Sequence, residues 1–441
     1  MRRFRLLPLL AAAVLGACSI LPPDVGRELL PTTHSSYKTA EFAYHQLLER
    51  HVDKPGSKQL LIGALDSVDA FLKKANDAPV TRPEFTGAIE SDFSKFGATL
   101  DGAIAKNGKL DATLMERAAT DGMAKSMNEC HTYYLDPERA KGFNQGPTQY
   151  EGIGAQISPG KPTELPEISY VFPSSPAEKA GVRAGDRIKT VEDTDVAGFT
   201  PEEVANRIKG PEGTTVHLVL LRGGNDIAFN IVRGKIVPPR VQSRTYENGS
   251  IAYVSVAQLN GDVTRQTSDE LTKLLTAGAT TAILDLRNDP GGDLSAAVDI
   301  GSIFVKSGVL VYQIGRDGSR QAVKTNDRWY WGTQKPLVVL VNERSASGSE
   351  IIAAGVQANG VGTIIGNKTA GCVGIGQPRE LPDGGLLLIT LARMQDAKTG
   401  AELNGDGRGV VPDKVVPLDS AQSGDTQLDA AVAFLRSQAR R

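Results

Sequence analysis

The run Leu337–Gln357 (LVVLVNERSASGSEIIAAGVQ) constrains this chain more than any other stretch. Five consecutive aliphatic residues, Leu337–Val341, have the length and branching of a strand buried on both faces. A polar loop follows, and Glu350–Gln357 spaces its apolar residues as a buried helix does. Ser347 therefore falls in a strand-to-helix turn, at or just before the helix N-terminus. Such a position exposes a side-chain oxygen and surrounds it with backbone N–H groups that the helix leaves unused. Those are the two requirements of an acyl-transfer nucleophile. The plainer reading, in which Ser345, Ser347 and Ser349 are caps and turn residues, stands beside it.

The same unit recurs upstream. Gly249–Leu259 alternates as a strand, and GDVTRQTSDELTKLLTAG follows it as an amphipathic helix. Thr281–Val305 reads as a buried strand, a tight loop and a buried helix. Repeated strand–loop–helix units predict a mostly parallel α/β layer over residues 238–441. The loop DLRNDPGGDL carries Gly291 and Gly292, which let a backbone turn bring N–H groups close to a ligand oxygen. With Ser347 at a second strand end, Gly292 (or Gly291) and Gly348 are the expected oxyanion donors. Glycines serving the turn alone are the alternative.

The N-terminus is a targeting segment. MRRFR is a positive n-region, LLPLLAAAVL an apolar core, and LGAC (Leu15–Cys18) resembles a bacterial lipobox. Residues 1–17 are thus expected to be a lipoprotein signal peptide, with Cys18 lipidated and residues 18–36 a proline-containing tether. The expected location is the periplasm. Ser19, where Asp would suggest inner-membrane retention, favours anchorage to the outer membrane. No other segment approaches ~20 apolar residues, so no membrane span is expected. Removing the three Arg of residues 1–17 takes the formal charge from −2 to −5, which leaves no general basic surface and makes nucleic acid an unexpected partner. Five His and three Cys lack the paired spacings of a structural zinc site, so no metal or cofactor is expected.

Helical periodicity dominates from Tyr37 to about Asp136 and predicts a helical domain over residues 37–148. His45 and His51 lie on its helices and read as structural or solvent-facing. Residues 149–237 resemble a PDZ domain. YEGIGAQI supplies a strand and glycine turn, SSPAEKAGVRAGDRIKTV a short helix leading into G-D-x-I, and PEEVANRIKGPEGTTVHLVLLRGG a second helix and closing strand. The resemblance implies recognition of exposed or C-terminal peptide, added as a strand beside the second helix. His217, in a predicted strand, reads as a packing residue.

The core resembles the C-terminal processing (tail-specific) peptidases. Their nucleophile segment, S-A-S-E-I followed by G-x-x-T-x-G-K-G-x-V-Q, matches this chain with Ser347 as nucleophile. Their D-L-R-N-N-P-G-G matches DLRNDPGG, and D-P-H-T-x-Y-L-x-P matches ECHTYYLDP at His131. The closing L-P-D-G-x-x-L-x-I-T and N-G-x-G-V-x-P-D segments recur near Leu381 and Asn404. The family's usual base, a Lys 25 residues after the nucleophile, is replaced by Cys372. Three readings follow: Lys368 substitutes; the chain is a pseudo-peptidase; or the site resembles the tricorn-type branch. That branch implies His131 as base and Asp406, three residues before Gly409, as its carboxylate, with Glu402 a nearby fallback. Glu350 and Gln377 are further candidates. Cys372 reads as a small buried hydrophobe, a second nucleophile or half of a disulfide; if His131 reaches the site, Cys130 approaches Cys372, and an oxidising compartment permits a Cys130–Cys372 bridge.

The expected fold is therefore a multidomain α/β protein: an N-terminal helical domain, a β-rich PDZ domain and an α/β peptidase core of mostly parallel strand–helix units. The expected function is a lipid-anchored serine endopeptidase acting on protein tails, with a homo-oligomer or adaptor as a further partner. The alternative is an inactive PDZ-containing binding or adaptor lipoprotein.

Overall fold

The structure is a computed structural model that describes residues 36–142, 149–158, 165–331, 335–405, 407–417 and 425–438. The lipobox with Cys18, the tether and Asp406 lie outside the described residues. Among the described residues, no helix is long and apolar enough to cross a membrane.

The five apolar residues of Leu337–Val341 form a fully buried strand near the middle of a six-stranded sheet. It runs parallel to Thr281–Asp285 on one side and to Thr363–Gly366 on the other. Ile251–Val256 and Lys414–Val415 extend the parallel set, and Val241–Tyr246 adds an antiparallel edge. The continuous apolar run follows from the period of two. Leu337, Val339 and Val341 face a layer of three helices, Val263–Thr276, Leu294–Phe304 and Gly348–Ala358. Val338 and Leu340 face Leu428, Ala431 and Leu435 of the C-terminal helix Thr426–Gln438. Each such buried side chain contributes roughly 1.5–3 kcal/mol, so a charge at Val339 would break the unit.

A second sheet lies beside the first. Its long strand, Leu386–Asp396, pairs antiparallel with Gly374–Glu380, with Val309–Gly315 and with Tyr133–Leu135, while Arg320–Lys324 pairs with Val309–Gly315. The segment that closes the helical region is thus a strand of the core, with Tyr133 opposite Leu388.

Four helices, Lys38–Arg50, Ser57–Lys74, Ile89–Lys106 and Ala112–Lys125, build the helical region from apolar residues three and four apart. The second and fourth meet backbone to backbone at Gly63 and Gly122, where a Cβ on Gly122 would stand 2.2 Å from the Gly63 carbonyl oxygen. Their core is shared with Tyr134, Leu381, Leu387 and Ile389 of the second sheet. Asp383 fastens the two, accepting from Tyr134 Oη at 2.6 Å and Arg117 Nε at 3.1 Å.

Between these parts in sequence, a separate hydrophobic core from Ile153 to Ile231 is built on its own sheet. Strands Ala155–Ser158, Glu167–Val171, Arg187–Val191, Thr194–Asp195, Thr215–Arg222 and Asn225–Val232 make one sheet. The helix Pro201–Ile208, whose Thr200 and Glu203 form a capping box, packs Val204 and Ile208 into its core. Chain entry and exit run side by side, because Tyr150–Gly152 pairs with Gly234–Ile236.

Candidate active site

Two loops at the carboxyl ends of adjacent parallel strands meet to form the site. Asn288 and Asn342 exchange hydrogen bonds across them, each at 3.0 Å. Ser345 Oγ, fully buried, donates to the Leu286 carbonyl at 2.8 Å and accepts the Asn342 N–H at 2.9 Å. Ala346 N–H donates to the Asp289 carbonyl at 3.0 Å. For Ser345 the plain turn-residue reading is the right one.

Ser347 sits directly before the Gly348–Ala358 helix with φ 54° and ψ −114°, a backbone state that L-residues rarely adopt. Such strain costs about 1–3 kcal/mol and persists only where the surroundings enforce it. They do so through the Ser347 N–H, which donates to the Cys372 carbonyl at 2.7 Å and to Glu350 Oε2 at 3.0 Å. Ser347 is half-buried and stands in a capping-box relation with Glu350 at the start of the helix.

The glycine loop lies against this turn. A Cβ on Gly291 (φ 89°) would stand 2.7 Å from both Ser347 Cβ and Gly348 N. A Cβ on Gly292 (φ 151°) would stand 2.1 Å from the Leu259 carbonyl oxygen, to which the loop is bridged. Only glycine fits at either position. The Gly292 and Gly348 amides have no acceptor among the described residues.

Glu350 organises the third loop. Its buried carboxylate accepts Thr369 Oγ1 at 2.6 Å and the amides of Gly371 and Cys372 at 2.8 and 2.9 Å, besides that of Ser347. Burial pushes its pKa up, against the pull of these four donors. All its lone pairs are engaged, so it serves as a structural hub and not as a free base.

Cys372 is disulfide-bonded to Cys130, with Cα atoms 5.8 Å apart. The bridge brings in His131, whose Nδ1 lies 3.3 Å from Cys130 Sγ and 3.6 Å from Cys372 Sγ. These three residues cluster as metal ligands would, but the two sulfurs are bonded to each other. The His131 amide donates to Glu129 Oε2 at 2.8 Å, and Thr390 Oγ1 donates to Glu129 Oε1 at 2.7 Å. Burial raises the Glu129 pKa, but bonds from His51, Thr132, the His131 amide and Thr390 outweigh it and hold the pKa at about 2. Burial lowers the His131 pKa below its ordinary 6.5, and the Glu129 charge offsets part of that. A strained serine, two unused amides and a neutral imidazole one disulfide away form a set suited to acyl transfer.

Comparison with known proteins fits this arrangement. The description "Peptidase family S41" matches residues 250–416, and "PDZ domain" matches residues 167–222. A carboxyl-terminal-processing protease of Synechocystis sp. is 32% identical over 329 residues, covering 72% of this chain and 76% of that protein. The chain belongs to peptidase family S41. A probable CtpA-like serine protease of Staphylococcus aureus strain COL is 31% identical over 318 residues, 71% of this chain and 62% of that protein. The chain thus spans less than two thirds of the staphylococcal relative's length. The crystal structure of the tricorn protease aligns over 92% of this chain and 37% of that one, with a TM-score of 0.50 and 14% identity, a likeness of fold alone.

The remaining candidates of this S41 chain sort by their partners. Lys368 Nζ donates to the Gly407 carbonyl. Glu402 is paired with Arg393 and Arg408. Gln377 Oε1 accepts Arg379 at 3.1 Å. Gln377 follows Cys372 by one residue more than Gln follows Lys in the G-K-G-x-V-Q pattern, and the β-bulge opposite Ile375–Gly376 places its extra residue, Leu391, on the partner strand. His45 lies 3.7 Å from Glu90, and exposed His217 meets Asn230 at 2.5 Å, which corrects its reading as a packing residue. His51 is fully buried with Nε2 3.6 Å from Glu129. Sequence reasoning missed Glu129 and Asp289, although both lie inside the matched segments ECHTYYLDP and DLRNDPGG.

Proposed function

We propose that this chain is a lipid-anchored periplasmic serine endopeptidase of the C-terminal processing type, with Ser347 as nucleophile and His131 as general base. The observation that carries the reading is the Ser347 turn. A strained serine at the start of the Gly348–Ala358 helix stands beside two amides without acceptors among the described residues. Ser347 Oγ attacks the scissile carbonyl while His131 takes its proton. The Gly292 and Gly348 N–H groups hold the oxyanion, and His131 then protonates the leaving amine. Water repeats the cycle on the acyl-enzyme. A depressed imidazole pKa supports this role, since the base must be neutral to accept a proton. Asp406 is assigned to orient His131 on the tricorn-type resemblance.

The substrate is an extended polypeptide, recruited through its C-terminus. Ala155–Ser158 and Pro201–Ile208 are the strand and helix between which a PDZ ligand adds as a further strand. The N-terminal lipobox supports anchorage through Cys18 at the outer membrane.

A fluorophosphonate probe tests the reading. It should label the wild-type protein at Ser347 and leave S347A unlabelled. Labelling that survives in S347A rejects Ser347 as nucleophile. An unlabelled wild type leaves a PDZ-containing binding lipoprotein instead.

A further inference from the structure

Two buried polar atoms behind the oxyanion loops lack a hydrogen-bond partner, Asp289 Oδ2 and Ser349 Oγ. Both residues are fully buried. Asp289 touches both halves of the cradle. Its Oδ1 accepts the Gly291 N–H at 2.9 Å, and its carbonyl oxygen accepts the N–H of Ala346, the residue before Ser347, at 3.0 Å. The Ser349 hydroxyl, two residues after Ser347, favours the ionised carboxyl as a weak donor but falls short of hydrogen-bonding geometry.

An ionised Asp289 would have one strong donor and no cation. Arg287, on the same loop, is committed to Asp285 and Asp425. Glu350, on the nucleophile helix, spends both oxygens on the donors already described. The other charged groups on these elements are Glu343 and Arg344 on the Ser347 turn, Asp293 and Asp299 at Leu294–Phe304, and Asp262, Arg265, Asp269, Glu270 and Lys273 at Val263–Thr276. None of them perturbs the carboxyl. Burial alone pushes its pKa to about 7, with only the Gly291 N–H and Ser349 opposing. A buried carboxyl without a counter-charge keeps its proton.

We propose that Asp289 is a positioning residue that must be neutral, bracing the Gly291–Gly292 loop against the Ser347 turn as an uncharged acid. The consequence for rate rests on the peptidase reading above. When Asp289 ionises, a negative charge forms one hydrogen bond behind Gly291, next to the amides that must stabilise a developing oxyanion. Like charges in a low-dielectric site oppose each other, so the reaction slows as the proton leaves.

The rate constant for fluorophosphonate labelling of Ser347, followed from pH 5 to 9 in wild type and D289N, tests this. The wild type should lose labelling rate about tenfold per pH unit above an inflection near 7. D289N, an isosteric neutral side chain, should lack that alkaline limb while keeping the acid limb set by His131. An identical alkaline limb in D289N, or none in the wild type, overturns the proposal. Should D289N fail to fold, wild-type protein carrying ¹³C at its aspartate carboxyls gives a second test. One resonance should titrate near pH 7 and move in S349A, and its absence overturns the proposal. The carboxyl titration needs no activity, so failure of the peptidase reading stays distinguishable from failure of this one.

Discussion

The Cys372 carbonyl accepts the Ser347 amide at 2.7 Å, so the residue that closes the disulfide also holds the Ser347 turn. One cysteine, at the position where the resembling peptidases carry their lysine base, couples the Ser347 loop to the His131 segment. Its main chain serves one and its sulfur the other.

Breaking that coupling should separate activity from folding. A cavity of about 390 Å³ opens beside the disulfide, lined in part by Glu129, Thr132, Gly371 and Asn404, so a dithiol can reach it. Reduction, or the C130S/C372S pair, should lower kcat/KM about tenfold or more through misplacement of His131. The stability loss should be about 2–4 kcal/mol. Thiol titration alongside peptide cleavage checks both. A reduced protein with full activity would remove the bridge from the mechanism.

His131 should set the acid limb of the pH–rate profile. A base must be neutral, and burial holds this imidazole below its ordinary 6.5. Rate should therefore climb with pH through an inflection below 6.5. H131A should lose about 10²-fold or more in kcat/KM, along with that limb. Peptide cleavage by H131A at the wild-type rate rejects the assignment.

Glu129 offers a stability test that needs no substrate. Its pKa is depressed from 4.5 to about 2, so its contribution is fully present above about 4.5 and fades as pH falls through 2. E129Q should be less stable than wild type at pH 7 by on the order of 2 kcal/mol. The gap should narrow steadily below pH 4.5. Denaturant titrations at pH 7 and pH 3 measure it, and an equal gap at both would show that the charge is not responsible.

At Gly291, backbone strain and steric clash can be told apart. A Cβ there meets three atoms of the Ser347 turn at 2.6–2.7 Å, whereas Gly249, with a similar φ of 94°, has nothing within 4 Å. G291A should cut the Ser347 labelling rate about 10²- to 10³-fold, the scale of losing an oxyanion donor. G249A should cost some stability and leave labelling intact. Equal labelling in the two variants would exclude close packing of the glycine loop as the cause.

The layered core could be read directly because its strands are buried on both faces and say so in five-residue aliphatic runs, as Leu337–Val341 does. The turn holding Ser347 followed from the order of strand and helix. The second sheet was harder to read. Its strand Leu386–Asp396 finds Tyr133–Leu135 some 250 residues away, and no local pattern encodes such a pairing. Glu129 and Asp289 stayed hidden for a related reason. A carboxylate's role depends on what surrounds it, so an ordinary acidic letter became a strong anion at one site and a near-neutral acid at the other.

The pairing of Tyr133–Leu135 with Leu386–Leu388, and the disulfide spanning 242 residues, also impose an order in time. While the polypeptide is being made, the His131 segment has neither its partner strand nor its partner cysteine until nearly all of the sequence has emerged. The intervening domain, closed on its own two-stranded stem, can be complete long before then. A nascent or C-terminally truncated chain therefore carries the PDZ domain before the Ser347 and His131 segments can be joined.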